Sequence, residues 1–305
     1  MMLVTCPVCG GDLGPADRDT IDYATGERFG IRVCRACGLG VTAPRPGDVG
    51  RYYPSRYRRF NPIARFALMR FYDARVAGWG RRLGRVGVAL DLGCGNGWMI
   101  RSLRGAGWRA FGTERSVEAL AAARDLPVFV GDADALAAGA RFDLVIMFHV
   151  LEHLADPVSV LATWAERLGP GGHLVVAVPN FGSWQARLFR GRWLHLDAPR
   201  HLVHFDRRSL GVALDRAGLR VERTSFASME HDPYGWLQSA LNVLGFRENA
   251  LTRMLVGMDR PTRSIPATLA MALLAIPLLP LAVLVALVSW PLRAGAVMEV
   301  WAAPR

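Results

Sequence analysis

The chain has 305 residues, 51% of them hydrophobic and 21% charged, which excludes a disordered tail and is enough to bury a core without disulfide staples. Its 32 glycines and 18 prolines follow no fixed period, so neither a collagen-like chain nor a solenoid is expected. The formal charge is +11, and every one of the 37 basic residues is arginine. That bias belongs to the whole chain, so the position of the charge says more than its total.

The first residues, Met1 to Cys6, carry no basic segment and no apolar stretch, and a signal peptide is not expected. Two C-x-x-C pairs follow, Cys6/Cys9 and Cys34/Cys37, with Gly10 and Gly38 just after them. Each pair puts two thiolates on one tight turn. The spacing predicts a tetrahedral four-cysteine zinc ribbon over residues 1–45, with iron or a disulfide pair as alternatives. A closed set of four thiolates leaves no open position, so the site reads as structural. Pro44, Pro46, Gly47 and Gly50 then mark a linker.

Residues 51–85 hold ten arginines against Asp73 alone, +9 of the +11, interleaved with aromatics such as Tyr52, Tyr53, Phe66, Tyr72 and Trp79. Arginine with aromatics fits an anionic bilayer surface or a nucleic-acid backbone. It equally fits a solvated helix whose aromatics pack on the next domain. Asn61-Pro62 opens a helix expected to run to Leu83, so 46–83 reads as a basic, aromatic linker and helix.

From Gly84 strands and helices alternate. Strands are expected at 86–91, 108–113, 127–131, 142–148, 172–178, 219–226 and 296–302, and helices near 98–105, 116–124, 157–168 and 206–217. This pattern predicts an α/β, Rossmann-like fold with a largely parallel sheet, whose ligands bind at the carboxyl ends of the strands.

The first strand of this part ends in Asp91-Leu92-Gly93-Cys94-Gly95-Asn96-Gly97. The glycines allow a tight turn and close approach of a ligand to backbone. The pattern is G-x-G-x-G, not the dinucleotide G-x-G-x-x-G. The opening carboxylate repels a pyrophosphate and suits a cationic or zwitterionic ligand. The second strand ends at Glu114, the third at Gly131-Asp132-Ala133, and the fourth runs into Phe148-His149-Val150-Leu151-Glu152-His153.

These four motifs, in this order and spacing, resemble the class I S-adenosylmethionine (SAM)-dependent methyltransferases over roughly residues 84–305. The resemblance implies a seven-stranded sheet of order 3-2-1-4-5-7-6 with the last strand antiparallel. It also implies that Asp91, Gly93, Cys94, Gly95, Asn96 and Gly97 hold the methionine end, Glu114 the ribose, and Asp132 and Ala133 the adenine, with His149 lining the pocket. Cys37-Gly38-Leu39 with Pro44-Arg45-Pro46 and Tyr52-Tyr53, and Pro199-Arg200-His201-Leu202-Val203-His204-Phe205, are similar to a zinc-headed subgroup often associated with surface glycan, lipid and antibiotic-sugar biosynthesis.

Six of the seven histidines follow the carboxyl ends of strands: His149, His153, His195, His201, His204 and His231. Methyl transfer to a hydroxyl needs an aligned acceptor and a base, and a neutral imidazole suits that proton. His201, His204 and His153 are the candidate catalytic residues. His201 and His204, three apart, share a face if the segment is a helical turn. An ordering role for the loop and a metal site from His195, His201 and His204 are the alternatives.

Residues 264–292 carry no charge. A single helix of this length spans a bilayer core, but Pro277 and Pro280 fall in its middle, and each arm alone is too short to cross. The last strand must return to the sheet, which predicts a monotopic helical hairpin inserted before it. A single span, or a soluble lid or dimer interface, are the alternatives.

The expected function is therefore SAM-dependent O-methyl transfer on a lipid, lipid-linked glycan or quinone-like acceptor at the cytoplasmic face of the membrane, with a structural zinc ion. An RNA base methyltransferase, a soluble sugar methyltransferase and a non-catalytic scaffold are the competing readings. The apolar insert weighs against nucleic acid as a partner, since RNA recognition has no use for it.

Overall fold

The computed structural model describes residues 5–53, 62–116, 120–121, 123–131, 139–255 and 265–305. Asp132, Ala133 and residues 117–119 and 122 of the helix expected at 116–124 lie outside these residues.

The ribbon consists of β1 (Leu13–Ile21), β2 (Arg28–Cys34) and β3 (Gly40–Ala43), all antiparallel. Its sheet does not end there. The strand β9 (Val203–His204), from the second half of the chain, pairs with β3 through Gly40↔His204 and Val41↔Val203. Leu39 and Val41 of the ribbon are buried in the same core cluster as Leu92, Met147 and Val176 of the main sheet. The ribbon is therefore packed into the larger domain, not appended to it.

The main sheet holds β4 (Val88–Leu92), β5 (Arg109–Glu114), β6 (Val128–Val130), β7 (Phe142–Phe148), β8 (Leu168–Pro179), β10 (Leu219–Ser225) and β11 (Val297–Pro304). Their order is β10-β11-β8-β7-β4-β5-β6. Six strands run in one direction, and β11 is antiparallel to both of its neighbours. This is the seven-stranded order that the resemblance implies, with the apolar segment placed before the last strand.

The central strands are apolar on both faces, as buried parallel strands must be. In β7, Val145 and Met147 face the ribbon side, and Leu144 and Ile146 face the other. The second layer is closed by α1 (Pro62–Leu83) and α2 (Trp98–Gly105), which bury Val76, Trp79, Ile100 and Leu103. Helix α3 (Pro157–Ala165) starts at Asp156, whose carboxylate accepts from Ser159 N at 3.1 Å, with Pro157 in the first turn. Next come α4 (Trp184–Phe189) and α5 (Arg207–Arg216), the latter opened by an Asp206/Ser209 capping box.

Helix α1 gives the arginine-rich segment a more local role than its charge suggests. Trp79 packs edge-on to Trp301, and Arg75 pairs with Glu230 and Glu299 at 3.0 and 3.1 Å. Arg82 and Arg85 pair with Glu222 and Asp143. The part of the basic stretch at 54–61 lies outside the described residues.

Beyond β10, α6 (Asp232–Val243) and α7 (Ala250–Leu255) precede α8 (Ile265–Ser289). Helix α8 corrects the expected hairpin: it is one helix of 25 residues, about 37 Å long, that continues through Pro277 and Pro280. Each proline removes one backbone donor, but leucine and alanine on both sides sustain the helix, and a proline interior to an apolar helix kinks it more readily than it ends it. Helix α8 lies along the domain. Thr268, Met271, Ala275, Leu278, Ala282, Ala286 and Ser289 form its inner stripe at helical spacing over its whole length. Met271 packs with Leu237 and Leu241 of α6. Outside this stripe the helix is open: Ile265, Leu269, Leu273, Ile276 and Leu284 are each more than half exposed.

Candidate active site

The carboxyl ends of β4, β5 and β7 form the first half of the site. Asp91, next to last in β4, is 3% exposed. Burial, and then the nearby Glu114 charge, push its carboxyl up to about 8. Gly93, Gly95 and Gly97 all take positive φ, between 53° and 72°, which favours glycine. A Cβ on Gly97 would press on the Leu126 side chain, which packs close against this turn. Cys94 N donates to Thr113 O at 3.0 Å and fixes the loop over β5. The Glu114 carboxylate accepts from Gly95 N at 2.8 Å and from Arg115 N and Ser116 N at 2.7 and 2.8 Å. A buried carboxyl, three glycines at positive φ and an oriented second carboxylate fit the cationic, ribose-bearing SAM.

The second half is a cluster of imidazoles. His149 follows β7 with a φ of 57°, unusual for a residue with a side chain, and such strain is found where a side chain must be aimed. Its Nδ1 donates to Glu152 Oε1 at 3.2 Å, while Nε2 is buried with no partner among the described residues. Its ring lies 4.6 Å from that of His231, which in turn lies 6.1 Å from His195. Burial opposes the ionisation of Glu152, but the hydrogen bond from His149 outweighs it and holds the carboxyl below its usual range.

The expected pairing of His201 with His204 on a helical turn is corrected. Residues 203–204 are the strand β9, and the two rings stand 6.4 Å apart. His204 is 4% exposed and bonds Thr42 Oγ1 of the ribbon at 3.0 Å. Burial and the nearby Arg18 push it down to about 3, so it is neutral. It joins the ribbon to the domain. His201 donates from Nδ1 to His195 O at 3.0 Å, and its Nε2 lies 3.9 Å from Glu152 Oε1. His153 bonds Arg200 O from Nδ1 at 3.0 Å, and its ring is 4.7 Å from that of His201. The His195, His201, His204 donor set does not form: His201 meets Glu152 and His153 instead.

Three contributors escaped the sequence reading. Asp22, in the turn after β1, pairs with Arg200. Glu230, just past β10, sits between Arg75 and His231. Asp232 accepts from Ala296 N at 2.9 Å and from Trp290 Nε1, and so ties α6 to the end of α8 and the start of β11. The signal available for the last two was the acidic pair flanking His231 at a strand end.

The four cysteines converge from the turns that precede β1 and β3. All four sulfurs lie within 4.8 Å of one another, with Cys6–Cys37 at 3.6 Å and Cys9–Cys34 at 3.4 Å. These spacings are far beyond a disulfide bond and near the roughly 3.8 Å edge of a tetrahedral zinc–thiolate site. Cys6 N→Gly11 O and Cys34 N→Leu39 O close two equivalent knuckles, with Gly10 and Gly38 at φ of 76° and 87°. The donor set fits a tetrahedral ion such as zinc.

The sheet order, the Asp91 glycine loop and the carboxylate ending β5 define a class I SAM-dependent methyltransferase. The family described as Methyltransferase domain matches residues 62–224, more than half of the chain, and the chain belongs to that family. Relatives include a ubiquinone biosynthesis O-methyltransferase of Thiobacillus denitrificans, 30% identical over 37% of this chain and 50% of that one. Another, from Aromatoleum aromaticum, is 29% identical over 47% of this chain and 66% of that one. The chain thus spans about half to two thirds of the length of these curated relatives. Among solved structures, a SAM dependent methyltransferase from Archaeoglobus fulgidus aligns over 77% of this chain and 93% of that one, with 17% identity and a TM-score of 0.48. The glycopeptide N-methyltransferase MtfA complexed with sinefungin aligns over 76% and 94%, with 17% identity and a TM-score of 0.45.

Proposed function

We propose that this enzyme transfers a methyl group from SAM to a hydroxyl oxygen of a lipid, lipid-linked glycan or quinone-like acceptor, at the cytoplasmic face of a membrane. The carrying observation is the outer face of α8. It is apolar throughout, largely exposed, and tied through Trp290 and Asp232 to the segment that holds His231. Half-burying about nine leucine-sized side chains is worth on the order of 10 kcal/mol, which is ample for a monotopic attachment. The inner stripe keeps the helix on the protein along its length, so the attachment lies in the interface and does not cross. The names of the relatives, ubiquinone biosynthesis O-methyltransferases, favour an O-methyl acceptor of this kind.

In this reading Asp91 and the glycine loop take the ammonium and sulfonium end of SAM, and Glu114 takes the ribose hydroxyls. The acceptor oxygen attacks the methyl carbon in line. The C–O bond forms, the C–S bond breaks, and S-adenosylhomocysteine leaves with the electron pair on sulfur. The acceptor proton goes to His149 Nε2, which Glu152 keeps as the lone-pair nitrogen by accepting from Nδ1. Zinc in the four-cysteine cluster holds the ribbon, and hence β3, against β9. The test is incubation of purified protein with membranes and methyl-labelled SAM, followed by phase partition. Label in the organic phase is expected. Label confined to the aqueous phase, in RNA or free sugar, overturns the lipid acceptor.

A further inference from the structure

Glu152, His153 and His201 bring only electron pairs to a common point. Glu152 is 1% exposed, and its Oε2 has no hydrogen-bond partner among the described residues. His201 donates its Nδ1 proton to a carbonyl, His195 O, so its Nε2 carries a lone pair. That lone pair faces Glu152 Oε1 at 3.9 Å and Asp197 Oδ2 at 4.0 Å. His153 Nδ1 meets both Arg200 O at 3.0 Å and Tyr53 Oη at 3.2 Å; the carbonyl can only accept, so the proton of the neutral ring sits on Nδ1 and Nε2 carries a lone pair. One donor atom from each of the three residues lies within 4.8 Å of the others. Acceptors gathered in a buried place repel one another unless a cation stands between them.

We propose that Glu152, His153 and His201 form a second metal site, for a divalent transition ion, separate from the four cysteines. Two imidazoles and one carboxylate are a donor set for manganese, iron, cobalt or zinc, and leave open positions on the ion. Both ring protons are held by backbone carbonyls, the arrangement that fixes tautomer and orientation of metal-bound histidines. Bonds of about 2.0–2.2 Å draw neighbouring donors to about 3 Å, so the 3.9 Å gap closes by roughly 1 Å on loading. The donors come from two segments, the turn after β7 and the loop before β9. The ion therefore joins the acceptor side of the fold to the segment that the ribbon holds. This deepens the methyltransferase reading: an ion next to His149 would bind the acceptor oxygen and lower the pKa of its hydroxyl.

Manganese distinguishes the two metal sites, because thiolates discriminate against it and imidazole–carboxylate sets accept it. Protein whose cysteines are already loaded with zinc is titrated with Mn2+, and free Mn2+ is followed by electron paramagnetic resonance. One bound Mn2+ per chain is expected. His201→Ala and Glu152→Gln should each weaken it by at least about tenfold while retaining the cysteine-bound zinc and SAM binding. His153→Asn, a change at a partly exposed ring, provides the same readout if either buried variant fails to fold. A wild-type protein that binds no Mn2+, or binding that all three variants retain, overturns the site. The titration needs neither acceptor nor turnover, so it fails or succeeds independently of the proposed reaction.

Discussion

Arg200 Nη1 lies 2.8 Å from Asp22 Oδ1, with side chains 3% and 0% exposed, so a charge from the ribbon is sealed against a charge from the loop before β9. The same guanidinium donates to Tyr52 O at 2.7 Å and holds Asp197 in a fork at 2.6 and 2.9 Å. Burial alone would lower its pKa, but Asp197 and Asp22 outweigh that and hold it firmly protonated. The next residue is His201, and Arg200 O receives the proton of His153. The ribbon thus sets the position of two candidate site residues through one buried ion pair.

Asp22→Ala removes that partner, and with it the carboxylate that caps Thr25 N and Oγ1 at 2.8 Å. Removing one member of a buried pair costs about 3–5 kcal/mol when no other partner remains, and Asp197 softens this to about 2–3 kcal/mol. Urea unfolding should show that loss. A change below about 0.5 kcal/mol would mean that Asp197 alone satisfies Arg200.

Removal of the metal from the four cysteines should release the ribbon and spare the cofactor loop. The knuckles at Cys6–Gly11 and Cys34–Leu39 depend on the convergence of the sulfurs, and β9 pairs only with β3 among the described strands. The loop at 91–97 is built on β4 and β5 instead. Hydrogen exchange after chelation should show lost protection over 13–43 and 201–204, with SAM affinity changed by less than about threefold. Loss of SAM binding in parallel would show that ribbon and loop open as one unit.

Much of this was legible in the residues. The glycine loop was visible because the backbone demand at 93, 95 and 97 can only be met by one residue type, and the apolar central strands because parallel strands bury both faces. The four cysteines were legible from spacing alone. The histidine roles were not. Which imidazole faces which carboxylate depends on the chain's return from β8 to β9, and no local pattern encodes the pairing of His204 with Thr42 or of Arg200 with Asp22. Helix α8 was misjudged for a related reason. Pro277 and Pro280 argue locally for a break, whereas the stripe from Thr268 to Ser289 that docks it on α6 is a tertiary fact.

The cofactor loop carries a pH signature. Asp91 titrates at about 8 in the chain without ligand, against an ordinary 3.8. The folded chain therefore keeps a proton there that the unfolded chain has lost, and its stability falls as pH rises from 3.8 towards 8. SAM brings positive charge and favours the carboxylate, so its binding expels that proton. Affinity should rise by up to about tenfold per pH unit between about pH 6 and 7.5, with proton release detectable as buffer-dependent heats in titration calorimetry. Asp91→Asn should flatten that slope and weaken binding by about ten- to a hundredfold, the worth of a charge-assisted hydrogen bond. A flat profile in the wild type would show that Asp91 is already ionised without ligand.

The outer face of α8 gives the sharpest test of membrane attachment. Ile276 and Leu284 are 70% and 58% exposed, and neither belongs to the inner stripe that meets α6. Glutamate at both sites adds two charges where the chain has none from 264 to 292 and disturbs no buried contact. A charge pressed towards hydrocarbon costs about 1–3 kcal/mol at interfacial depth, so Ile276→Glu with Leu284→Glu should weaken co-sedimentation with anionic vesicles by about a hundredfold. SAM affinity and the unfolding midpoint should stay at their wild-type values, since the substitutions touch only solvent. Should the double variant bind vesicles as the parent does, the attachment lies elsewhere, with the arginines of α1 the next surface to charge-reverse. Should the parent itself stay in the supernatant as a dimer and the variant as a monomer, the helix face is an interface between two copies of this chain.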